Sequence, residues 1–381
     1  MTKKLRIGIN LISFRDTKAI GTFVYVKRLL TQMSEMDMSN IHLIIYIQKH
    51  IAPNAFNIPS NCTHEIIYVP RLNSPLRRII FEQTLFYKYL KKMDVFYTPS
   101  STSLPWLTKY TKVFTVHDMV PFTCPQKYSW LKRQYVQLTT KLCLHIGNHI
   151  ITVSQNSKTD IIKYAHITPS KISIIYNFIT NQESVVQRGL QQVHTQDGRQ
   201  IDLHCNYFLT VATLQPGKNI EGLLEAFSIF LHNNPHYFLY IVGNKGWGYQ
   251  TIFDKIEELK LHDKVILTGY LDDSSLATLY EYCLGVVYTS FYEGFGIPPL
   301  EGFYHNKSCV ASNNSSLPEV VGNAGILVDP YSPQSIAEGL AQFLSAHTYL
   351  ERHIPTQIAK FAPAKQTQAF LSLITNLSYS K

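Results

Sequence analysis

Ser290-Phe-Tyr-Glu-Gly-Phe-Gly-Ile-Pro-Pro-Leu-Glu301 is the most informative stretch of this 381-residue chain. It follows a short apolar run that reads as a strand ending near Tyr288, and it opens a segment that reads as a helix. Gly294 and Gly296 let the backbone turn tightly and come close to a ligand. Pro298 or Pro299 suits the first helical turn, where a missing N–H costs nothing. Unpaired N–H groups and the positive end of the helix dipole then point the same way, which suits a diphosphate. Glu301, read as lying in the first turn, cannot favour a phosphate, but its carboxylate can accept two ribose hydroxyls. Glu293, just ahead of the glycines, falls on the sugar side. Either glutamate alone is unremarkable, Glu301 merely complementing the dipole. The two together, with seven residues and a glycine-proline loop between them, read as a site.

Outward from this loop, short apolar runs alternate with helical segments. Arg6–Asn10, Ile41–Ile47, Val95–Tyr97, Val113–Val116, Ile150–Val153 and Ile172–Ile175 read as strands, with helices at Phe23–Met33, Leu76–Lys92, Lys132–His145 and Lys158–Tyr164. The pattern restarts with strands at Tyr207–Val211, Tyr237–Val242, Val265–Thr268, Gly285–Val287, Cys309–Ala311 and Gly325–Leu327. Helices at Gly222–Leu231, Leu276–Tyr282 and Pro333–Leu344 intervene. Alternation of this kind means parallel sheets with right-handed crossovers. The polar, Gln-rich stretch Thr180–Cys205 between the sets reads as a linker with a loop insertion. The expectation is an α/β chain of two facing Rossmann-like domains, 1–178 and 179–360, with a tail of about 361–381 returning to the first. Parallel sheets bind ligands at the carboxyl ends of their strands, so the chemistry is expected in a cleft between the domains.

Composition agrees with a globular enzyme and limits the alternatives. Hydrophobic residues make up 45% and charged residues 16%, and no apolar run approaches the ~20 residues of a membrane-spanning helix. The six cysteines (Cys62, Cys124, Cys143, Cys205, Cys283, Cys309) form no CxxC, which argues against disulfides or zinc and for free thiols in a reducing cytosol. Residues 1–178 hold 23 Lys and Arg against 8 Asp and Glu, a surplus of +15, whereas 179–381 hold 12 against 18, or −6. With no nucleic-acid-binding fingerprint present, the basic half points instead to an anionic membrane surface.

Tyr292-Glu-Gly-Phe-Gly-Ile-Pro-Pro-Leu-Glu301 resembles the E-x7-E signature of the retaining glycosyltransferases of family 4, which have the GT-B fold. Leu317-Pro-Glu-Val-Val-Gly322, Leu327-Val-Asp-Pro330 and Val211-Ala-Thr-Leu-Gln-Pro-Gly-Lys-Asn219 resemble the flanking family segments. The resemblance implies that Glu293 contacts the donor sugar and Glu301 the ribose. It further implies that Lys218 contacts the diphosphate, and that the backbone of Phe295, Gly296 and Ile297 holds sugar and phosphate. The base is implied near Gly269-Tyr270-Leu271. Where the family often carries an arginine, at Thr213 or Gly217, this chain has none. After Glu301, Asn306 stands where the family has glycine, and asparagine is the next-best residue for a left-handed cap.

In the first half, Thr115-Val-His-Asp-Met-Val-Pro121 follows a strand. His117 resembles the family histidine that approaches the donor sugar. Gly21 and Thr22, opening the first helix, match the family's glycine-rich loop near the diphosphate, with Ala19 in place of a common glycine. Ser154 and Ser157 read as a helix cap. Arg78-Ile-Ile-Phe-Glu-Gln83 also echoes the family.

The resemblance implies retaining transfer of a hexose, mannose first among several, from a nucleotide diphosphate sugar to a hydroxyl of a growing glycan or lipid-linked acceptor. The leaving phosphate would take the acceptor proton, and no metal or other cofactor is expected. A non-catalytic donor-binding subunit, a phosphorylase and an epimerase are the alternatives. The expected location is cytoplasmic, peripheral on the inner membrane face, with Leu76–Lys92 as the contact.

Overall fold

The computed structural model describes residues 4–14, 21–101, 103–106, 108–124, 130–180 and 192–379. The chain divides into two units, Met1–Thr180 with Ala362–Lys381, and Asn181–Phe361.

The first unit runs β1 (Leu5–Asn10), α1 (Gly21–Met33), β2 (Ile41–Gln48), β3 (Thr63–Val69), α2 (Pro75–Thr84), β4 (Val95–Thr98), β5 (Thr111–Val116), α3 (Val120–Thr123), α4 (Trp130–Ile146), β6 (His149–Thr152), α5 (Gln155–Ala165) and β7 (Ile172–Ile174). Its strands are all parallel, in the order β3-β2-β1-β4-β5-β6-β7. Every residue of β4, β5 and β6 is buried, as expected of strands covered on both faces. Ser154 caps α5 by accepting from Ser157 N at 3.0 Å.

The second unit runs β8 (Asn206–Val211), α6 (Ile220–Leu231), β9 (Tyr237–Val242), α7 (Gln250–Glu258), β10 (Val265–Gly269), α8 (Asp273–Tyr282), β11 (Gly285–Tyr288), α9 (Ile297–Tyr304), β12 (Cys309–Ser312), α10 (Leu317–Val321), β13 (Gly325–Val328), α11 (Pro333–Glu351) and α12 (Ile354–Lys360). Its parallel sheet has the order β10-β9-β8-β11-β12-β13. Phe208, Phe227, Ile241 and Phe343 anchor the core between this sheet and its helices. The last helix, α13 (Pro363–Tyr379), returns to the first unit. There Phe370 meets the Tyr97 ring edge-on at 4.9 Å, and Gln366 accepts from Tyr176 N at 3.0 Å.

Three sequence expectations need correction. The strand β3, Thr-His-Glu-Ile-Ile-Tyr-Val, is absent from the predicted set: it is an edge strand that opens with three polar residues and buries only Val69. Leu76–Lys92 is not one helix: α2 ends at Thr84, and Phe86–Lys88 form a separate 3₁₀ turn. Tertiary packing breaks it there, since Phe86 turns wholly into the core against Tyr46, 5.1 Å away. The stretch 192–205 is more than a linker. Its described residues pair His194 with Gln200 and fasten to β10, where Gln196 N donates to Thr268 O at 2.7 Å. Residues 181–191 lie outside the described set. All six cysteines are free. Among the described residues no helix is long and apolar enough to cross a membrane.

Candidate functional site

Both sheets share the order 3-2-1-4-5-6 in their own strand numbering, so strand order reverses between the first and fourth strands. Loops leaving these two strands diverge there and leave a crevice at their carboxyl ends. In the second unit the two loops follow β8 and β11, and they carry Lys218 and Glu293.

Pro216–Lys218 forms one 3₁₀ turn, closed by Asn219 in the left-handed conformation at φ 54°. The Asn219 amide donates to Thr289 O at 3.1 Å and Pro330 O at 2.6 Å, tying the β8 loop to the β11 loop. Phe291 N adds a bond to Gly217 O at 3.2 Å. Lys218 Nζ therefore sits 2.6 Å from Glu293 Oε1 and 3.0 Å from the Tyr288 hydroxyl, which in turn donates to Glu293 at 2.9 Å. The two charged side chains are only 19% and 15% exposed. Burial pulls the Lys218 ammonium down, but the Glu293 charge and the bonds from Glu293 and Tyr288 outweigh it and leave its pKa raised. Burial likewise pushes Glu293 up, and the Lys218 charge with bonds from Lys218 and Tyr288 brings it below the ordinary carboxylate value. Both groups are held charged, as a polar pair whose hydrogen-bonding capacity a diphosphate sugar can share.

The loop around Glu293 is fastened from the β12 side. Glu293 N donates to Ser315 Oγ at 3.1 Å, and Ser316 Oγ donates to the carbonyls of Glu293 and Phe295 at 3.0 and 2.6 Å. Ser312 Oγ reaches Ser290 O at 2.8 Å, and the Asn314 amide reaches Phe291 O at 3.0 Å. A site on such a cradle is preorganised. Gly296 caps α9 at φ 112°, and a Cβ there would lie 2.6 Å from Leu317 Cδ2, so glycine is required twice over. Gly294 is not among the left-handed glycines, so the turn rests on Gly296 alone. Ile297 and Pro298 open the helix. Phe295 is buried, its ring edge-on to Phe361 at 5.2 Å, so only its backbone is placed to serve a ligand. Glu301 is the fifth residue of α9 rather than part of its first turn, because the helix begins at Ile297. Its Oε2 accepts from the Tyr280 hydroxyl at 2.8 Å. Asn306 takes φ 56°, the left-handed geometry expected for it.

At the end of β10, Leu271 is buried and Tyr270 is exposed, with Tyr270 N donating to Gln196 Oε1 at 3.4 Å. Thr213 and Gly217, the two positions without arginine, belong to the β8 loop, where Gly217 is buried in the 3₁₀ turn.

His117, Gly21 and Thr22 belong to the first unit. His117 Nε2 lies 3.0 Å from the Pro99 carbonyl, which can only accept, so this nitrogen carries the proton. Burial lowers the ring to a pKa of about 4, against a smaller raising effect of that bond, and holds it neutral. Asp118 makes no dyad with it and instead accepts from Val120 N at 3.0 Å at the start of α3. Tyr25 of α1 meets the His117 ring edge-on at 4.9 Å, which brings the helix opened by Gly21 and Thr22 to the same strand end. A Cβ on Gly21 would meet nothing within 4 Å, so packing among the described residues does not demand glycine there.

Sequence reading missed Tyr288, Tyr280, Ser315 and Ser316. Tyr288 ends a strand and Tyr280 sits inside a helix, positions that read as core. The serines give only a loop signal.

The family model described as "Glycosyl transferases group 1" matches residues 195–360, and that described as "Glycosyltransferase Family 4" matches residues 21–183. The chain is 31% identical over 245 residues to an O-antigen chain mannosyltransferase B of Escherichia coli, covering 63% of this chain and 62% of that protein. It is 27% identical over 285 residues to a serotype-specific mannosyltransferase WbdA of the same organism, covering 73% of this chain and 34% of the relative. The matches thus span less than two thirds of either relative's length. Among solved structures, Anabaena Alr3699/HepE in complex with UDP and glucose superposes with a TM-score of 0.71 at 17% identity, covering 98% of this chain and 100% of that one. Two parallel Rossmann-like sheets, the two family matches and these relatives together make the chain a member of the family 4 glycosyltransferases with the GT-B fold.

Proposed function

We propose that this chain transfers a hexose from a nucleotide diphosphate sugar to a hydroxyl of a glycan or lipid-linked acceptor with retention of configuration. Mannose heads the candidates, in keeping with the names of its curated relatives. The observation that carries the reading is the Lys218–Tyr288–Glu293 cluster at the β8/β11 reversal. In this reading Lys218 and the start of α9, through the backbone of Phe295, Gly296 and Ile297, take up the charge that develops on the leaving diphosphate. Glu293 orients the sugar hydroxyls, and Glu301 meets the ribose. Tyr270 and Leu271 border the base. Gly21, Thr22 and His117 are the residues of the first unit proposed to serve the transfer. The bond from the sugar's anomeric carbon to the diphosphate breaks, a bond to the acceptor oxygen forms, and the acceptor proton passes to the leaving phosphate. A helix N-terminus and a lysine do the work of a metal, and no other cofactor takes part.

A thermal-shift screen of nucleotide sugars on the purified chain tests the donor. A true donor at 100 times its dissociation constant stabilises by about 2.7 kcal/mol. Transfer from that donor to a glycan acceptor should give a product of unchanged anomeric configuration by NMR, at a rate unaffected by EDTA. Inversion, or a rate abolished by EDTA and restored by a divalent ion, would overturn those parts of the reading. No stabilisation by any nucleotide sugar would overturn the whole.

A further inference from the structure

A helix on a globular surface ordinarily buries its apolar stripe and shows water a polar face. In α4 the inner face is apolar as expected, with Cys143 and Leu144 buried. The outer face is apolar too. Leu131, Tyr135 and Leu138 recur at i, i+4 and i+7, with Trp130 beside them. In α2, Leu76 and Ile80 also point outward. These six side chains are 44–74% exposed. The two helices cover one core, where Phe81 of α2 lies in the same buried cluster as Cys143 and Leu144 of α4. Contiguous apolar exposure of this kind marks a docking surface rather than chance.

The surrounding charge identifies what docks. Residues 71–148 carry twelve Lys and Arg against three Asp and Glu, a surplus of nine that equals the net charge of the whole chain. Of those three acids, Glu82 is fully buried, while Arg77, Lys88, Lys91, Lys92 and Lys141 are exposed. A second copy would set this surplus against itself. An anionic bilayer takes apolar side chains and pairs the lysines and arginines at once.

We propose that the outer faces of α2 and α4 dock together on an anionic lipid surface. Trp130, Leu131 and Leu138 enter the acyl boundary, and the basic side chains lie among the headgroups. The contact differs from Leu76–Lys92 as read in sequence, because Phe81 and Phe86 of that stretch are buried in the core and unable to reach lipid. The docking stands independently of the transfer chemistry.

Co-sedimentation of the full chain with vesicles of phosphatidylcholine alone, or mixed with phosphatidylglycerol, tests it. Binding is expected to the anionic vesicles only and should weaken as salt rises, since screening acts within ~10 Å at 0.1 M. The double change Leu131→Ser, Leu138→Ser should cut the bound fraction at least about tenfold, because each leucine loses its burial in lipid. Its melting temperature should stay unchanged, as both side chains already face water. Quenching by brominated lipid should fall in Trp130→Phe and not in Trp247→Phe. Equal binding to neutral and anionic vesicles, binding to neither, or full binding by the double variant would overturn the proposal. So would a concentration-dependent dimer that the double variant abolishes, which would give the face to a second copy.

Discussion

The two sheets reverse strand order at the same place and use it differently. In the first unit the reversal lies between β1 and β4, and the chain's own side chains close it. Asn10, ending β1, donates to Ser103 O at 2.8 Å, and Ser103 Oγ donates to Glu82. Glu82 is fully buried, 3.8 Å from Arg78, and burial raises its pKa against the pull of that charge. In the second unit the reversal holds Lys218 and Glu293, both partly exposed and both held charged. One topology thus supplies two crevices. Filled with amides and a buried acid, it serves stability; lined by a mostly buried ion pair on a pinned loop, it suits a charged ligand.

That contrast can be broken by mutation, with the largest effect expected in the first unit. Glu82→Ala strips the partner from a buried charge and should lower unfolding free energy by about 3–5 kcal/mol in urea melts. Nucleotide affinity of the remaining folded protein should not change; a parallel loss of affinity would show that the first crevice also serves ligand. Glu293→Gln keeps a hydrogen-bonding group beside Tyr288 and should lower turnover at saturating donor by roughly 10²–10³-fold, the scale for losing one preorganised polar contact to the reacting group. Glu293→Ala should do the same with a lower melting temperature, since it leaves the mostly buried Lys218 without its carboxylate. Near-normal turnover in both would remove Glu293 from the site.

Lys218→Met should weaken nucleoside diphosphate binding by about 1.5–3 kcal/mol in calorimetry, the worth of one charged hydrogen bond. Equal affinity in variant and parent would take the lysine off the phosphates. A last test uses acid. His117 and His149 of the first unit are both lowered to about 4 by burial, with nearby Lys158 and Lys171 adding to the effect at His149. The unfolded chain protonates them near 6.5. Their contribution is whole above pH 6.5 and is lost as pH falls towards 4, with a slope of at most about two protons. His117→Asn should flatten the fall of the urea midpoint over that window, and an unchanged slope would show that His117 titrates normally.

Much of the fold is legible in the residues, and the failures are physical. Strands buried on both faces, such as Val95–Thr98 and Cys309–Ser312, announce themselves as apolar runs. The edge strand Thr63–Val69 does not, because half its surface meets water. Phe86 reads as part of a helical stripe until Tyr46 and Phe96 draw it out of the helix. In the site, Gly296 and Pro298 are legible because the backbone needs them. Tyr288 is not, because a tyrosine ending a strand looks like core until its hydroxyl has a partner.

Sequence by itself determined the class of fold, two parallel α/β units, and the glycine-proline loop that opens α9. Periodicity and backbone demands are local, and local patterns carry them. Tertiary structure decided that Lys218 and Glu293, 75 residues apart, share one hydrogen-bonded cluster, and that α4 turns an apolar stripe to water. Both depend on which strands and helices become neighbours. Reversal of strand order brings the loops after β8 and β11 together, and the covering of one helix face leaves the other exposed. Neither relation is written in the spacing of residues along the chain.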